Sequence, residues 1–249
     1  MLIKQVFPES MNSPSQYCRY FFRCEQASGD IENKVSGGAS ATKNTGFLDA
    51  TLWATAGYAT VGGGASNYCS LAAAAAALDH VNYTIVITAR VLKAAAALPG
   101  SEEYVVAGYT PGSTTGGIIL AARTDGSARL YVNTTDNTTV NLTTAASALT
   151  DGITATERSL VFIIPRQTGV SGSVGMDAIE RATAPMSTIA GKSIAGGNAL
   201  KLGGTTSAYR LAAFAAYQIP VDSTSLNAAQ IYDWAFRNPG IPMPDWVFA

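Results

Sequence analysis

The feature that most constrains this chain is a segment in which β-branched side chains alternate between two faces. Residues 83–91 read Y-T-I-V-I-T-A-R-V. One face would carry Ile85, Ile87, Ala89 and Val91. β-Branched residues favour extended backbone because their χ1 angles are restricted in a helix. The period of two therefore predicts a β-strand whose sheet buries at least one face.

Other segments of this kind recur along the chain at the spacing of a β-sandwich. Residues 19–24 are aromatic and strand-like, and the unbroken apolar run 159–164 predicts a strand buried on both faces. Residues 117–123 and 128–133 flank Asp125-Gly126, a dipeptide typical of a hairpin turn. The other strand candidates are an interrupted one at 51–61 and those at 173–180, 200–204 and 210–219. Roughly ten to twelve strands joined by Gly, Ser and Thr turns predict an all-β antiparallel sandwich.

Helical signals are few. Alanine-rich runs at 71–78 and 93–98 are too short to form stable helices alone, so we expect a turn of helix or a small-residue loop at each. Near the C-terminus, Asn227 and Gln230 have the spacing of a capping box. Ile231, Trp234 and Ala235 would then share one face. One short C-terminal helix is therefore predicted, ending at Asn238-Pro239-Gly240.

Three parts of the chain differ in character. Residues 1–15 resemble an extended arm, residues 16–238 hold the sandwich, and residues 239–249 form a proline- and aromatic-bearing tail. The tail either packs on the domain or inserts into a neighbouring molecule. In the second case we expect contacts with copies of this chain or other proteins through Phe7, Trp246 and Phe248.

Composition excludes several classes of partner. Charged residues make up 13% of the 249 residues, and the net charge is -1. Without a cluster of lysines and arginines, neither nucleic acid nor an anionic membrane surface is an expected partner.

The longest apolar run, 71–78, is too short for membrane insertion. The N-terminus lacks the pattern of a signal peptide, which predicts synthesis in a cytoplasm without standard export.

The titratable residues do not suggest catalysis. His80 is the single histidine, so a serine or cysteine triad would have to use it and a histidine-rich zinc site is impossible. We expect His80 to lie in a turn, solvated or bonded locally. Three cysteines, Cys18, Cys24 and Cys69, predict buried thiols and no disulfide framework. No cofactor or metal is expected.

Aromatic and polar residues gather near the predicted hairpin and could bind carbohydrate. These residues are Tyr104, Tyr109, Arg123, Asp125 and Tyr131. Exposed tyrosine rings there would stack on sugars, with polar groups fixing the sugar's orientation. The alternative is that Tyr104 and Tyr131 alternate into the core.

The order of several short motifs resembles laminin-G-like and concanavalin A-like jelly rolls, of the kind found in bacteriophage head-decoration or tail proteins. The motifs are F-F-R-C-E at 21–25 with the loop 28–38, Y-T-I-V-I at 83–87, V-G-M-D-A-I-E at 174–180, L-K-L-G-G at 200–204, and 209–219 followed by L-N-A-A-Q-I at 226–231. The resemblance covers about residues 17 to 237. It implies a jelly-roll fold, and Asp30 as the one position that could bind calcium.

The same resemblance bears on catalysis. Glycosidases of this group carry a Glu-x-Asp-x-x-Glu motif, and here Gly175 occupies the place of the nucleophile ahead of Asp177 and Glu180. We therefore expect no enzymatic activity. The expected function is a non-enzymatic virion structural or accessory protein (capsid decoration, collar or tail), forming homo-oligomers and aiding attachment to host-surface glycan. The alternatives are a glycan-binding lectin module and a concanavalin A-like glycoside hydrolase.

Overall fold

Two antiparallel β-sheets form the described part of the molecule. The computed structural model describes residues 17–93, 103–107, 116–122, 127–145, 158–166, 171–176, 179–195, 197–204 and 208–220. In chain order the strands are β1 (Cys18–Arg23), β2 (Thr42–Lys43), β3 (Ala59–Val61), β4 (Tyr68–Leu71), β5 (Tyr83–Lys93), β6 (Glu103–Ala107), β7 (Gly117–Ala122), β8 (Ala128–Asn133), β9 (Thr139–Thr143), β10 (Arg158–Ile164), β11 (Ser171–Met176), β12 (Ile179–Pro185), β13 (Leu200–Gly203) and β14 (Tyr209–Pro220). Two helices, α1 (Asp49–Leu52) and α2 (Ala73–Ala76), each span a single turn.

The strands are divided equally between the sheets. Sheet 1 has the order β1-β14-β5-β10-β11-β12, and β3 pairs with β14 beyond the end of β1. Sheet 2 has the order β2-β4-β13-β6-β7-β8-β9. The predicted all-β antiparallel sandwich is confirmed. No helix in the described ranges is long and apolar enough to cross a membrane.

The core lies between the inner faces of the sheets. Ile85, Ile87 and Ala89 of β5 point into it, as the alternation predicted. At its centre, Tyr20 and Phe214 stack with ring centroids 5.9 Å apart, and Phe22 lies 5.8 Å from Tyr20. Stacked aromatic pairs add to the free energy of burial. These rings join β1 to β14 from the inner side of sheet 1.

Sheet 1 is also apolar on its outer face. Strand β10 is buried on both sides, as predicted, because Phe162 belongs to the core while Val161 and Ile163 lie on the outer side. We call this second surface the outer face of sheet 1. It consists of Cys18, Phe21, Val86, Val161, Ile163, Ala213, Ala215, Tyr217 and Ile219.

One glycine is required where β13 ends against a neighbouring loop. Gly203 has a φ of 91°, a conformation that side chains disfavour. A Cβ at this position would lie 2.7 Å from the Val61 Cβ and 2.7 Å from the Asn67 carbonyl oxygen. The L-K-L-G-G motif therefore needs its first glycine, Gly203, because the neighbouring backbone approaches too closely for any side chain.

Two segments differ from the sequence prediction. Residues 173–180 are not one strand, since the chain leaves β11 at Met176 and returns as β12 from Ile179. The interrupted strand at 51–61 is instead the end of α1 followed later by β3. The alanine run at 71–78 does contain a turn of helix, α2. The arm, the predicted C-terminal helix, the tail, and residues 94–98 of the second alanine run lie outside the described residues.

Candidate functional site

Three of the five residues of the predicted carbohydrate site fall outside the described ranges, and the structure describes Tyr131 and the backbone of Tyr104. Tyr109, Arg123 and Asp125 are not described, nor are the predicted contact residues Phe7, Trp246 and Phe248. The backbone of Tyr104 pairs with Ala121. The predicted hairpin itself is confirmed, because β7 and β8 pair antiparallel from Gly117 opposite Asn133 to Ala122 opposite Ala128.

Strand β8 divides its side chains cleanly between two sides. Ala128, Leu130 and Val132 enter the core. Arg129 and Tyr131 therefore lie on the opposite side, since successive side chains of a strand alternate. The alternative that Tyr131 points into the core is wrong. Tyr131 instead packs over Ile119 and Ala121 on the outside of the sheet.

The neighbouring strands surround Tyr131 with small apolar and polar residues. Tyr131 is opposite Ile119 of β7 on one side and Asn141 of β9 on the other. Arg129 is opposite Ala121 and Thr143. We call this surface the outer face of sheet 2. It consists of Ile119, Ala121, Arg129, Tyr131, Asn133, Thr139, Asn141 and Thr143.

At the centre of this face the half-buried side chains of Tyr131 and Arg129 lie over buried Ile119 and Ala121, so polar groups stand beside an apolar base. The guanidinium carbon of Arg129 lies 5.7 Å from the Tyr131 ring centroid, within the range of a cation–π contact. Asn141 is exposed and accepts a hydrogen bond of 3.4 Å from the Thr143 hydroxyl. An aromatic ring, a guanidinium, an amide and hydroxyls thus share one side of a rigid sheet.

The turn that joins β8 to β9 is held by a carboxylate. Asp136 accepts hydrogen bonds from the Thr134 hydroxyl and from the backbone N–H of Thr138, at 3.2 Å in the latter case. Lys192 pairs with Asp136 at 3.0 Å. These hydrogen bonds, that from Thr134 first, hold the pKa of Asp136 well below its usual range. The turn is therefore fixed to the segment that follows β12.

His80 differs from the expectation of a solvated or locally bonded side chain. It is fully buried, with Nδ1 3.1 Å from the Lys192 carbonyl oxygen and Nε2 3.0 Å from the Pro165 carbonyl oxygen. Burial is the main reason why the pKa of His80 is lowered. A neutral imidazole carries one N–H and donates to only one of the two carbonyls. Among the described residues His80 therefore joins chain segments and contacts no nucleophile.

Asp30, the position considered for calcium, is joined to the backbone of Lys43 by one hydrogen bond. The Asp30 carboxylate accepts a 2.8 Å hydrogen bond from the Lys43 backbone N–H. The Lys43 ammonium pairs with Asp49, and this hydrogen bond lowers the pKa of Asp49. Within the described part of the chain, no group of three or more histidine, cysteine, aspartate or glutamate residues could hold a metal.

The glycosidase-like string is split between two strands. The backbone of Gly175 in β11 pairs with Glu180 in β12 and with Val161 in β10, while Asp177 lies outside the described residues. This register places Gly175 level with an outer-face residue of sheet 1. The three cysteines are buried free thiols, as predicted.

Comparison with solved structures gives a fold likeness. No protein-family model matches the sequence, and no curated protein does. The binding domain of Paraclostridial Mosquitocidal Protein 1 matches with a TM-score of 0.66 at 10% identity, over 88% of this chain and 52% of that one. The botulinum neurotoxin serotype D binding domain matches with a TM-score of 0.60 at 9% identity, over 93% of this chain and 55% of that one. The receptor binding domain of the botulinum neurotoxin C/D mosaic serotype gives 0.58 at 7% identity, over 91% and 55%.

These likenesses establish the fold alone. The chain spans about half the length of the binding domains that it matches. They share with it an architecture in which antiparallel strands dominate, and identities of 7% to 10% carry no residue-level correspondence.

Proposed function

We propose that this protein is a non-enzymatic attachment module that binds a surface glycan through the outer face of sheet 2. The observation that carries the proposal is the outward position of Tyr131, with the Arg129 guanidinium 5.7 Å from its ring centroid and Asn141 opposite it. The structural neighbours are named as binding domains, two of them as receptor binding domains, which supports a role in attachment.

The chemistry of this face fits a sugar. Each sugar ring has an apolar side of C–H groups, which packs on an aromatic ring, and a rim of hydroxyls that exchange hydrogen bonds. Tyr131 supplies the ring, and Asn141 supplies an amide that both donates and accepts. Arg129 donates through a planar group and favours a carboxylate or sulfate on the sugar. We propose Tyr104, in β6 two strands from β8, together with Tyr109, Arg123 and Asp125, as further residues of this site.

A glycan array tests the proposal, with and without calcium. We expect binding that Tyr131→Ala weakens by at least tenfold, since loss of one stacking ring and its contacts costs about 1.5 kcal/mol or more. Tyr68→Ala is the matched control, because Tyr68 also packs against a cation, the Lys201 ammonium 4.6 Å from its ring centroid, in strands at the other end of sheet 2. It should bind like the parent.

The outcomes are distinct. An array without any bound glycan refutes the proposal. Binding that Tyr68→Ala abolishes and Tyr131→Ala spares also refutes it, because the site would then lie at the other end of the sheet. Hydrolysis of a polysaccharide that is lost in Glu180→Gln would refute the non-enzymatic part and favour the glycosidase alternative.

A second proposal concerns the particle on which this module works. We propose that the module works on a virion, as a head, collar or tail component, with Phe7, Trp246 and Phe248 contacting other copies or virion proteins. The low charge and the proline- and aromatic-bearing tail support it, together with the resemblance to phage jelly rolls. Size-exclusion chromatography with light scattering should show a symmetric oligomer that Trp246→Ala and Phe248→Ala weaken. A strict monomer would count against this setting and leave glycan binding untouched.

A further inference from the structure

Strand β9 ends sheet 2, and its hydrogen bonds to β8 fix the direction of its backbone groups. At one end of the pair the Thr144 N–H donates to the Ala128 carbonyl at 2.9 Å. At the other end the Thr134 N–H donates to the Thr138 carbonyl, also at 2.9 Å. In an antiparallel pair the N–H and C=O of one residue point to the same side, and alternate residues point to opposite sides. The even-numbered residues from 138 to 144 therefore face β8.

The odd-numbered residues of β9, which are Thr139, Asn141 and Thr143, turn their backbone N–H and C=O groups away from β8. No residue in the described ranges hydrogen-bonds to these backbone groups. Thr139 and Asn141 are exposed, and Val140 between them is only half-buried although it packs against the core. β9 is therefore an open edge to which another strand can be added.

The other three outer strands of the two sheets, β1, β2 and β12, are covered or guarded. The Phe21 N–H of β1 donates to the Asn33 side chain at 3.0 Å, and the Lys43 N–H of β2 donates to the Asp30 carboxylate at 2.8 Å. β12 contains an exposed arginine and ends at a proline, and charge and proline both oppose pairing at an edge. β9 has no such protection, since residues 138–144 contain no charged residue, proline or glycine.

The sequence of β9 is complementary to itself. Residues 138–144 read T-T-V-N-L-T-T, which gives one branched apolar residue and then two threonines in either direction from Asn141. A second copy that runs antiparallel and is centred on Asn141 would place threonine opposite threonine and valine opposite leucine. The outward backbone groups of Asn141 would pair with those of its counterpart, and the threonines on either side would pair in the same way.

We propose that β9 pairs with β9 of a second copy of this chain about a twofold axis at Asn141, which joins the two copies of sheet 2 into one sheet. A twofold interface uses the same surface on both copies, and the self-complementary sequence meets that requirement. Cross-strand threonine pairs and the paired Asn141 amides add to the main-chain hydrogen bonds. One strand pair is a small interface, so we expect a weak dimer that forms at high protein concentration.

The pairing has a consequence for attachment. Tyr131 of β8 lies directly opposite Asn141, so the axis places the two Tyr131 side chains in one row across the joined sheet. The two β8 strands would be three strand spacings apart, or about 14 Å. Two sites on one side of a rigid sheet would bind a repeating polysaccharide more tightly than one site does. This consequence rests on the proposed glycan site, whereas the strand pairing does not.

Disulfide cross-linking tests the pairing, because the twofold axis brings one position of β9 next to itself. Residues in a hydrogen-bonded antiparallel pair have Cα atoms about 5.5 Å apart, and disulfides span about 4.4–6.8 Å between Cα atoms. Asn141→Cys should therefore give a cross-linked dimer under mild oxidation. The native cysteines are buried free thiols, so the parent chain measures the background.

Thr139→Cys is the matched control, because it is also exposed on the same face of β9. In the proposed register it lies opposite Thr143 of the other copy and about 13 Å along the strand from its own counterpart. We expect at least about tenfold less cross-linked dimer than in Asn141→Cys. Thr139→Cys mixed with Thr143→Cys should cross-link, whereas neither should do so alone. Circular dichroism of each variant checks that the fold is kept.

The outcomes separate the pairing from glycan binding. Absence of a cross-linked dimer in Asn141→Cys overturns the pairing. Cross-linking of Thr139→Cys alone to the same extent overturns the register and the twofold axis at Asn141. Cross-linking needs no glycan, so a chain that cross-links as expected but binds nothing on the glycan array refutes the attachment proposal and leaves the pairing intact.

Discussion

Replacing Gly203 by alanine should cost far more stability than the same change at another glycine with a similar backbone. Gly203 and Gly197 have φ values of 91° and 70°, so a side chain is strained at both. That strain is worth about 1–2 kcal/mol. At Gly197 nothing lies within 4 Å of an added Cβ, whereas at Gly203 it would lie 2.7 Å from the Asn67 oxygen and 2.9 Å from the Gly62 nitrogen.

The close backbone atoms at Gly203 add an overpacking cost of about 1–3 kcal/mol. We therefore expect Gly203→Ala to lower the free energy of unfolding by about 2–5 kcal/mol and Gly197→Ala by about 1–2 kcal/mol. Urea unfolding followed by circular dichroism measures both, and the dependence on urea concentration should be unchanged. Equal losses in the two variants would refute the steric argument and show that only the φ angle matters.

The remaining predictions concern packing and protonation. Phe214→Ala should lower the free energy of unfolding by about 3–5 kcal/mol in urea, because its buried ring stacks against both Tyr20 and Phe22. Leu48→Ala, at a side chain 66% exposed, should stay within about 0.5 kcal/mol. Burial lowers the pKa of His80 below its usual 6.5, so the unfolded chain binds a proton at a higher pH than the folded chain does. The free energy of unfolding should therefore fall as pH drops from about 7.5 to 5.5. Unfolding curves of His80→Gln over this pH range should lose that part of the dependence on pH, and an unchanged dependence would contradict the prediction. A carbon-13 titration should give Asp136 a pKa below 3.8, and Lys192→Met should raise it only in part, since the hydrogen bonds from Thr134 and Thr138 remain.

The sequence predicted strands well wherever a whole strand showed one pattern. The alternation in β5 and the unbroken apolar run of β10 both correspond to the observed burial. Strands β2, β4, β6 and β9 were missed because they have five residues or fewer and weak patterns. Residues 173–180 were predicted as one strand because the alternation continues from β11 into β12 across a chain reversal. Alternation alone does not reveal the turn.

The outward orientation of Tyr131 can be predicted from the sequence, although both orientations were considered above. In A-R-L-Y-V-N the apolar residues Ala128, Leu130 and Val132 occupy every second place, which assigns Arg129 and Tyr131 to the outside. The burial of His80 cannot be predicted from a local sequence pattern of this kind. Its partners Pro165 and Lys192 are 85 and 112 residues away in sequence, and only tertiary structure brings them together.

The position of β14 determines when sheet 1 can assemble. β14 lies between β1 and β5, and its pairing with β5 runs from Lys93 opposite Tyr209 to Tyr83 opposite Pro220. A chain emerging from the ribosome carries β1 and β5 long before it carries the strand that joins them. Pairing over such sequence distances slows folding and leaves strand edges exposed to aggregation in the interval. We therefore expect fragments that end before residue 209 to need chaperones, with sheet 1 forming only after β14 has been synthesised.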